Sequence, residues 1–225
     1  MKIKVLFLFF ILLNMAAHAE DWRWQNPKPQ SNTLWAVSFY NSYYGYAVGD
    51  CGTILFSPDG GKSWEVQFEA ITDTLRSISV IDSITAYIAG DNGSIFYTTN
   101  GGTNWNQQYD RNGTSINPNN GLNSIFFLNK STGWAAGDNG TILTTANSGK
   151  TWTQQSAGVP TNVNINSISF VSSTSGFAVG SNGTVLYTAN GGTTWNSKSI
   201  GENTTVVNTT VKFYDQTTGF ILGSG

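Results

Sequence analysis

One cysteine, Cys51, and one histidine, His18, stand in a chain of 225 residues. A lone cysteine forbids an intramolecular disulfide, so the fold must hold by packing alone. Cys51 sits where sister segments carry asparagine and reads as a turn residue. His18 lies in the N-terminal leader described below. Beyond it the chain has no histidine, which removes Ser-His-Asp and Cys-His catalysis and most zinc sites. Charge is also scarce: 11% of the residues are charged, against about 25% in ordinary globular domains. The net charge is −2, and the arginines number three, Arg23, Arg76 and Arg111. Such a surface has no basic stripe to displace counterions, so neither nucleic acid nor an anionic membrane surface is an expected partner. No apolar run after Leu13 approaches the roughly 20 residues needed to cross a bilayer, and no apolar stripe recurs at helical spacing. No motif for a cofactor or a metal is present.

The first 19 residues read as a secretory signal. Lys2 and Lys4 form a positive start, Val5–Leu13 an apolar run, and Ala17-His18-Ala19 a small-x-small cleavage pattern. The apolar run is too short to be a membrane anchor. The expected location is therefore periplasmic, cell-surface or extracellular. Residues 20–225 carry 9 basic and 13 acidic side chains, with Asn, Thr, Ser and Gln supplying the polar surface.

What the chain does have is a phrase written four times: SPDGGKSW at 57–64, TTNGGTNW at 98–105, TANSGKTW at 145–152 and TANGGTTW at 188–195. Each precedes a short polar strand and follows a Gly-(Asp/Ser)-x-Gly-(Thr/Ser)-(Ile/Val) segment. Measured between Gly49, Gly90, Gly137, Gly180 and Gly223, the intervals are 41, 47, 43 and 43 residues. A repeat of this length, built of four short strands, predicts a β-propeller blade that must bury its apolar faces against its neighbours. The repeats run over approximately 34–67, 75–108, 122–155 and 165–198, with a partial fifth at 207–225. The fold class is all-β, with four-stranded antiparallel blades. Within each blade, Asp-Asn-Gly or its counterpart predicts a type I′ hairpin between the second and third strands. Trp22-Arg23-Trp24-Gln25 resembles the strand after each box, so a strand over 22–27 is expected to help close the ring. Gly223-Ser224-Gly225 falls within the inner hairpin of the fifth repeat, so the sequence reads as a fragment of a larger propeller.

The boxed phrase, Ser/Thr-x-Asp/Asn-x-Gly-x-x-Trp, is similar to the Asp-box of bacterial neuraminidase repeats. Its residues here are Ser57, Asp59, Gly61 and Trp64; Thr98, Asn100, Gly102 and Trp105; Thr145, Asn147, Gly149 and Trp152; and Thr188, Asn190, Gly192 and Trp195. Each job is structural. The Asp or Asn accepts bonds from backbone N–H groups of the turn, the glycine permits its positive φ, and the tryptophan covers the flank of the blade. Three of the four boxes carry Asn, a poor metal ligand and a poor general base. The whole repeat, with (Leu/Ile)-x-x-(Ile/Val)-x-Phe, Gly-aromatic-Ala and (Asp/Ser)-x-Gly-(Thr/Ser)-Ile before the box, resembles the photosystem II stability/assembly factor family over residues 34–225. That resemblance implies a seven-bladed propeller that binds another protein. The family's arginine-rich contact patch is not matched by the three arginines present.

The favoured reading is an exported, non-catalytic propeller serving as a protein-binding scaffold or assembly factor. Recognition is expected on the face opposite the boxes, where the connections between blades vary most. Candidate contacts are Trp35, Asp73 and Arg76, with Tyr109, Asp110 and Arg111 in the longest connection. The alternative is a carbohydrate-active enzyme or glycan binder, for which Asp50, Asp91 and Asp138 occupy equivalent hairpin positions. Glycoside hydrolysis needs two carboxylates flanking one sugar, but Ser181 and Ser224 replace the acid in the later repeats.

Overall fold

The computed structural model describes residues 31–67, 70–108, 120–199, 207–213 and 218–224. Strands β1 (Leu34–Phe39), β2 (Gly45–Gly49), β3 (Ile54–Ser57) and β4 (Glu65–Gln67) form the first antiparallel sheet, in that order. The second holds β5 (Leu75–Val80), β6 (Ala86–Gly90), β7 (Ile95–Thr98) and β8 (Asn106–Gln107). The third holds β9 (Leu122–Phe127), β10 (Gly133–Gly137), β11 (Ile142–Thr145) and β12 (Thr153–Gln154). The fourth holds β13 (Ile165–Phe170), β14 (Gly176–Gly180), β15 (Val185–Thr188) and β16 (Asn196–Ser197). In the fifth, β17 (Val207–Phe213) pairs with β18 (Gly219–Ser224). These are propeller blades, four with four strands and one with two described strands. The strand proposed over 22–27 lies outside the described residues.

The first strand of each blade packs beside the first strand of the next, so β1, β5, β9, β13 and β17 form the inner row. Hydroxyl groups stitch this row together. The Oγ of Ser77 accepts the Ile125 N–H at 3.1 Å, Ser124 accepts that of Ile168 at 3.2 Å, and Ser167 accepts that of Val211 at 3.2 Å. Backbone donors that have no ladder partner between blades are satisfied in this way.

The second strand of each four-stranded blade is short and ends in glycine, and in the first, third and fourth blades it also starts with one. A Cβ on Gly45, Gly133 or Gly176 would run into the ring of Phe39, Phe127 or Phe170 of the adjoining first strand. A Cβ on Gly49, Gly137 or Gly180 would strike the carbonyl of Thr33, Gly121 or Asn164. The close approach at these positions therefore requires glycine, whereas in the second blade Val80 stands in place of the phenylalanine and its partner is Ala86.

Apolar side chains fill the four spaces between blades rather than a single centre. Tyr46, Val48 and Ile54 of the first blade meet Leu75, Ile78 and Trp105 of the second. Tyr87, Ala89 and Ile95 meet Leu122, Ile125 and Phe127. Trp134, Ala136 and Ile142 meet Ile165, Ile168, Phe170 and Trp195. Val179 and Val185 meet Val211. Rings stack across these junctions, Tyr87 on Phe127 at 3.7 Å and Trp134 on Phe170 at 3.5 Å between centroids. Each blade buries in its neighbour what it cannot bury alone.

Candidate functional site

The boxes close the turn between the third and fourth strands. In the first, Ser57 Oγ accepts the Gly61 N–H at 2.7 Å, and Asp59 Oδ1 accepts the Ser63 N–H at 2.9 Å. Asn100, Asn147 and Asn190 accept the equivalent N–H groups of Asn104, Thr151 and Thr194 at 2.9–3.1 Å. The bond from the Ser63 backbone, followed by that from its hydroxyl, holds the exposed Asp59 carboxyl below its usual range. Each box turn also bonds to the turn between its own first and second strands, as Gly60 N–H to Tyr43 O and Gly191 N–H to Thr174 O. Boxes and first turns therefore share one face. Across that face Lys130 pairs with Asp82 at 2.6 Å. Burial pushes the Asp82 carboxyl up, but the bonds from Lys130, Ile84 and Thr85 outweigh it, and the net shift is downward.

The boxes also join blades. Trp105 Nε1 donates to Gln67 Oε1 at 3.0 Å, and Trp152 Nε1 donates to Gln108 Oε1 at 3.1 Å. The Gln108 amide donates onward to Ser148 O at 3.0 Å. A Cβ on Gly102 or Gly149 would overlap these carboxamides, and both glycines have positive φ, 79° and 75°. The box glycine thus serves its own turn and admits the neighbour's glutamine. Between the third and fourth blades the device changes. Trp134 Nε1 donates to Gly191 O at 3.0 Å, and among the described residues Trp195 Nε1 is buried without a partner. Sequence reasoning did not single out Gln67 or Gln108. The signal was a glutamine three residues after Trp64, Trp105 and Trp152.

The opposite face carries the hairpins between second and third strands. Cys51, Asn92, Asn139 and Asn182 have φ of 52–56° and are each followed by a positive-φ glycine. Residue four of each turn bonds back to residue one, as Ser94 N–H to Asp91 O and Thr141 N–H to Asp138 O, the type I′ geometry. The blade-connecting segments lie against them: Asp50 N–H reaches Thr33 O and Gly140 N–H reaches Val163 O.

Here, in the first three blades, the second residue of the inner strand meets the hairpin acid. Trp35 Nε1 donates to Asp50 Oδ1 at 2.6 Å, Arg76 Nε to Asp91 Oδ1 at 2.5 Å, and Asn123 Nδ2 to Asp138 Oδ1 at 3.1 Å. Asn92 Nδ2 donates to Asp73 Oδ1 at 3.0 Å. Trp35, Asp73 and Arg76 thus stand on one rim, with Trp35 and Arg76 at equivalent positions on adjacent blades. Trp35 is 55% exposed, and the Arg76 and Asp91 side chains are about a third exposed. Tyr109, Asp110 and Arg111 lie outside the described residues.

The rim presents an indole, a guanidinium and carboxylates side by side. The acids also approach one another: a Cβ on Gly121 would stand 3.1 Å from Asp138 Oδ2 and 3.4 Å from Asp91 Oδ1. Two carboxylates around one locus is the minimum for glycoside hydrolysis, but Arg76 already bonds to Asp91 and Asn123 to Asp138. Among the described residues no three His, Cys, Asp or Glu side chains gather as metal ligands do, and no helix is long and apolar enough to cross a membrane.

The comparisons with known proteins fit this architecture. The family model described as Photosynthesis system II assembly factor YCF48 matches residues 14–112 and 107–188. No curated protein matches the chain. Among solved structures, one titled YCF48 bound to D1 peptide is 18% identical, with a TM-score of 0.51 over 87% of this chain and 91% of the other. YCF48 from Cyanidioschyzon merolae is 15% identical, with a TM-score of 0.50 over 88% and 95%. An ancestral GH74 enzyme is 17% identical, with a TM-score of 0.67, but this chain covers only 27% of it. At these identities the structures speak for the propeller fold alone. The family model spans most of the chain, including the first three boxes, and this chain belongs to the photosynthesis system II assembly factor YCF48 family of β-propellers.

Proposed function

We propose that this chain is an exported, non-catalytic propeller that binds another protein as a scaffold or assembly factor, with the hairpin rim as its contact surface. The observation that carries the reading is the family match over residues 14–188. One structure of similar fold holds a D1 peptide, and a polypeptide segment is the class of partner proposed here. The rim supports it with exposed Trp35 beside Arg76, residue types that dominate binding energy at protein interfaces. Met1–Ala19 would direct export and be removed.

A second reading, a glycan-cleaving enzyme, draws on the approach of Asp91 and Asp138 and on the GH74 fold likeness. The assembly-factor reading is preferred because the hairpin acid is replaced by Ser181 in the fourth blade, which Asn164 N–H engages at 3.0 Å. Quantitative capture from the host envelope, with wild type beside Trp35→Ala and Arg76→Ala, tests it. A stoichiometric protein partner that both variants lose is the expected result. Equal recovery with both variants, or hydrolysis of oligosaccharides that Asp91→Asn abolishes, would overturn it.

A further inference from the structure

Among the described residues, four turns of one design join first and second strands on the box face. Each is shut by one backbone bond: Tyr40 N–H to Tyr44 O, Ile81 to Thr85, Leu128 to Thr132 and Val171 to Ser175, at 2.9–3.0 Å. Three of these closing pairs set an aliphatic residue against a small hydroxyl residue. The first sets two tyrosines together, and they are 49% and 38% exposed.

These rings belong to the seam between the first and second blades, not to the outer flank of β1. Ser38 pairs with Tyr46 in the ladder, and side chains alternate along a strand, so Tyr40 and Tyr44 stand on the side of Tyr46. Tyr44 stacks on Phe56 at 6.3 Å, Phe56 meets Tyr46 at 5.0 Å, and Tyr46 meets Trp105 of the second blade edge-on at 5.8 Å. Both walls of the seam lie in this pair of blades, so the exposure of the two rings is not set by what precedes β1 or follows β18.

The first seam also lacks the closure of the next two. Tyr87 stacks on Phe127, and its hydroxyl donates to Lys130 O at 3.3 Å. Trp134 stacks on Phe170, and its Nε1 donates to Gly191 O at 3.0 Å. Opposite Tyr46 the phenylalanine is replaced by Val80, and the buried Tyr46 hydroxyl has no hydrogen-bond partner. By equivalence with Tyr87, that hydroxyl points toward the box face, where Tyr40 and Tyr44 stand.

We propose that this seam binds a neutral sugar chain, stacked on Tyr40 and Tyr44 and hydrogen-bonded to the Tyr46 hydroxyl. A pyranose places C–H groups on its faces and hydroxyls around its edge. The C–H faces suit the electron-rich faces of exposed tyrosine rings. One edge hydroxyl supplies the partner that Tyr46 lacks, and an unpaired buried hydroxyl is costly. Charge plays no part: Asn41, Ser42 and Ser83 lie in the two turns, and Asp82 is already paired with Lys130. Asn41 Oδ1 accepts the Tyr43 and Tyr44 N–H groups at 2.8 and 2.9 Å, which fixes the first turn before any ligand arrives. A polypeptide strand is a poorer occupant, because strand addition needs unpaired backbone and the Tyr40 N–H is already taken. The site lies on the box face, so this inference is independent of the partner-binding reading, which rests on the hairpin rim.

Titration calorimetry of the full chain with cellohexaose and with maltohexaose, both uncharged, tests the site. Wild type is compared with Tyr44→Ala, Tyr46→Phe and Tyr187→Ala, each first checked for an intact melt. Tyr187 is as exposed as Tyr44 but lies on the fourth blade. At least one of the sugars is expected to bind, with an affinity indifferent to salt. Tyr44→Ala should weaken binding about tenfold and Tyr46→Phe about threefold, while Tyr187→Ala leaves it unchanged. Failure of both sugars to bind at millimolar concentration would overturn the proposal. So would unchanged affinity in Tyr44→Ala or Tyr46→Phe, or an equal loss in Tyr187→Ala, which would reduce the effect to stacking on any exposed ring. If neither sugar binds and Tyr44→Ala loses the protein captured from the envelope, the proposal falls in favour of a protein contact.

Discussion

Trp105 of the second blade donates its indole N–H to the carboxamide of Gln67, on the last strand of the first blade, across 3.0 Å. The bond ties a box to its neighbour and not only to its own turn. Trp105 is buried and meets Tyr46 edge-on at 5.8 Å. Gln67→Leu would remove the acceptor of this indole N–H, at a cost of about 1–3 kcal/mol. Trp105→Ala would remove the ring as well and cost about 3–5 kcal/mol. Trp64, only half buried and met by Phe39, should cost less on the same substitution. Urea titration of the three variants orders them; a Trp105→Ala loss under about 0.5 kcal/mol would make the box a surface feature.

The propeller is legible in the sequence because each blade repeats the same constraints. A glycine must end the second strand, a positive-φ residue and a glycine must turn the hairpin, and a hydroxyl and an Asn or Asp must close the box. The contacts between blades are far less legible. Gln67, Ser77 and Ser124 are ordinary polar residues in strands, and nothing local says that their partners lie about 40 residues away in the next repeat. The rim falls between these cases. The equivalence of Trp35 and Arg76 follows from the repeat, but their bonds to Asp50 and Asp91 depend on how the inner strand meets the hairpin.

Tyr46 gives a prediction with a sign that can be worked out. Burial raises its hydroxyl from 10.0 to about 12, and among the described residues that oxygen has no hydrogen-bond partner. A folded-state pKa above the unfolded value means that the native state holds its proton while the unfolded chain gives it up. The corresponding stability is complete below pH 10 and is lost as pH rises toward 12. Tyr46→Phe should flatten that alkaline decline. It should also raise stability near neutrality by about 1 kcal/mol, because a buried unpaired hydroxyl is removed. Melting temperatures across pH 7–11 decide; an unchanged alkaline slope would show that Tyr46 does not drive it.

Asp59 works in the opposite sense. Its folded carboxyl is held low by the Ser63 backbone and hydroxyl bonds. Its contribution is therefore present above the ordinary carboxylate range and lost as pH falls through the folded value. The other boxes use Asn at this position, so Asp59→Asn should fold. Its melting temperature should follow wild type less steeply below pH 4, where only the carboxylate can titrate. Parallel acid limbs would mean that Asp59 contributes nothing to the pH dependence.

Arg76 separates binding from folding. Its bond to Asp91 joins two partly exposed side chains, and such pairs contribute about 0–1 kcal/mol. Arg76→Ala should leave the melt nearly unchanged while weakening capture of the protein partner. A variant that binds as wild type does would remove this side chain from the contact surface.

The inner row offers the sharpest paired test. Ser77, Ser124 and Ser167 each accept an N–H from the first strand of the next blade, whereas the equivalent residue of the first blade is Ala36. Ser124→Ala would orphan the Ile168 N–H within a buried strand, at a cost of about 1–3 kcal/mol. Ala36→Ser would place a hydroxyl at the position equivalent to Ser77, Ser124 and Ser167, opposite Ile78 by the repeat, and add about 0.5–1.5 kcal/mol. The two substitutions change the same single atom in opposite directions at equivalent sites. If the stitch matters, their effects in denaturant titration should be opposite in sign, and the double variant should be close to additive because the junctions are separate. Loss of stability from Ala36→Ser would show that the first junction is packed too tightly to accept the hydroxyl.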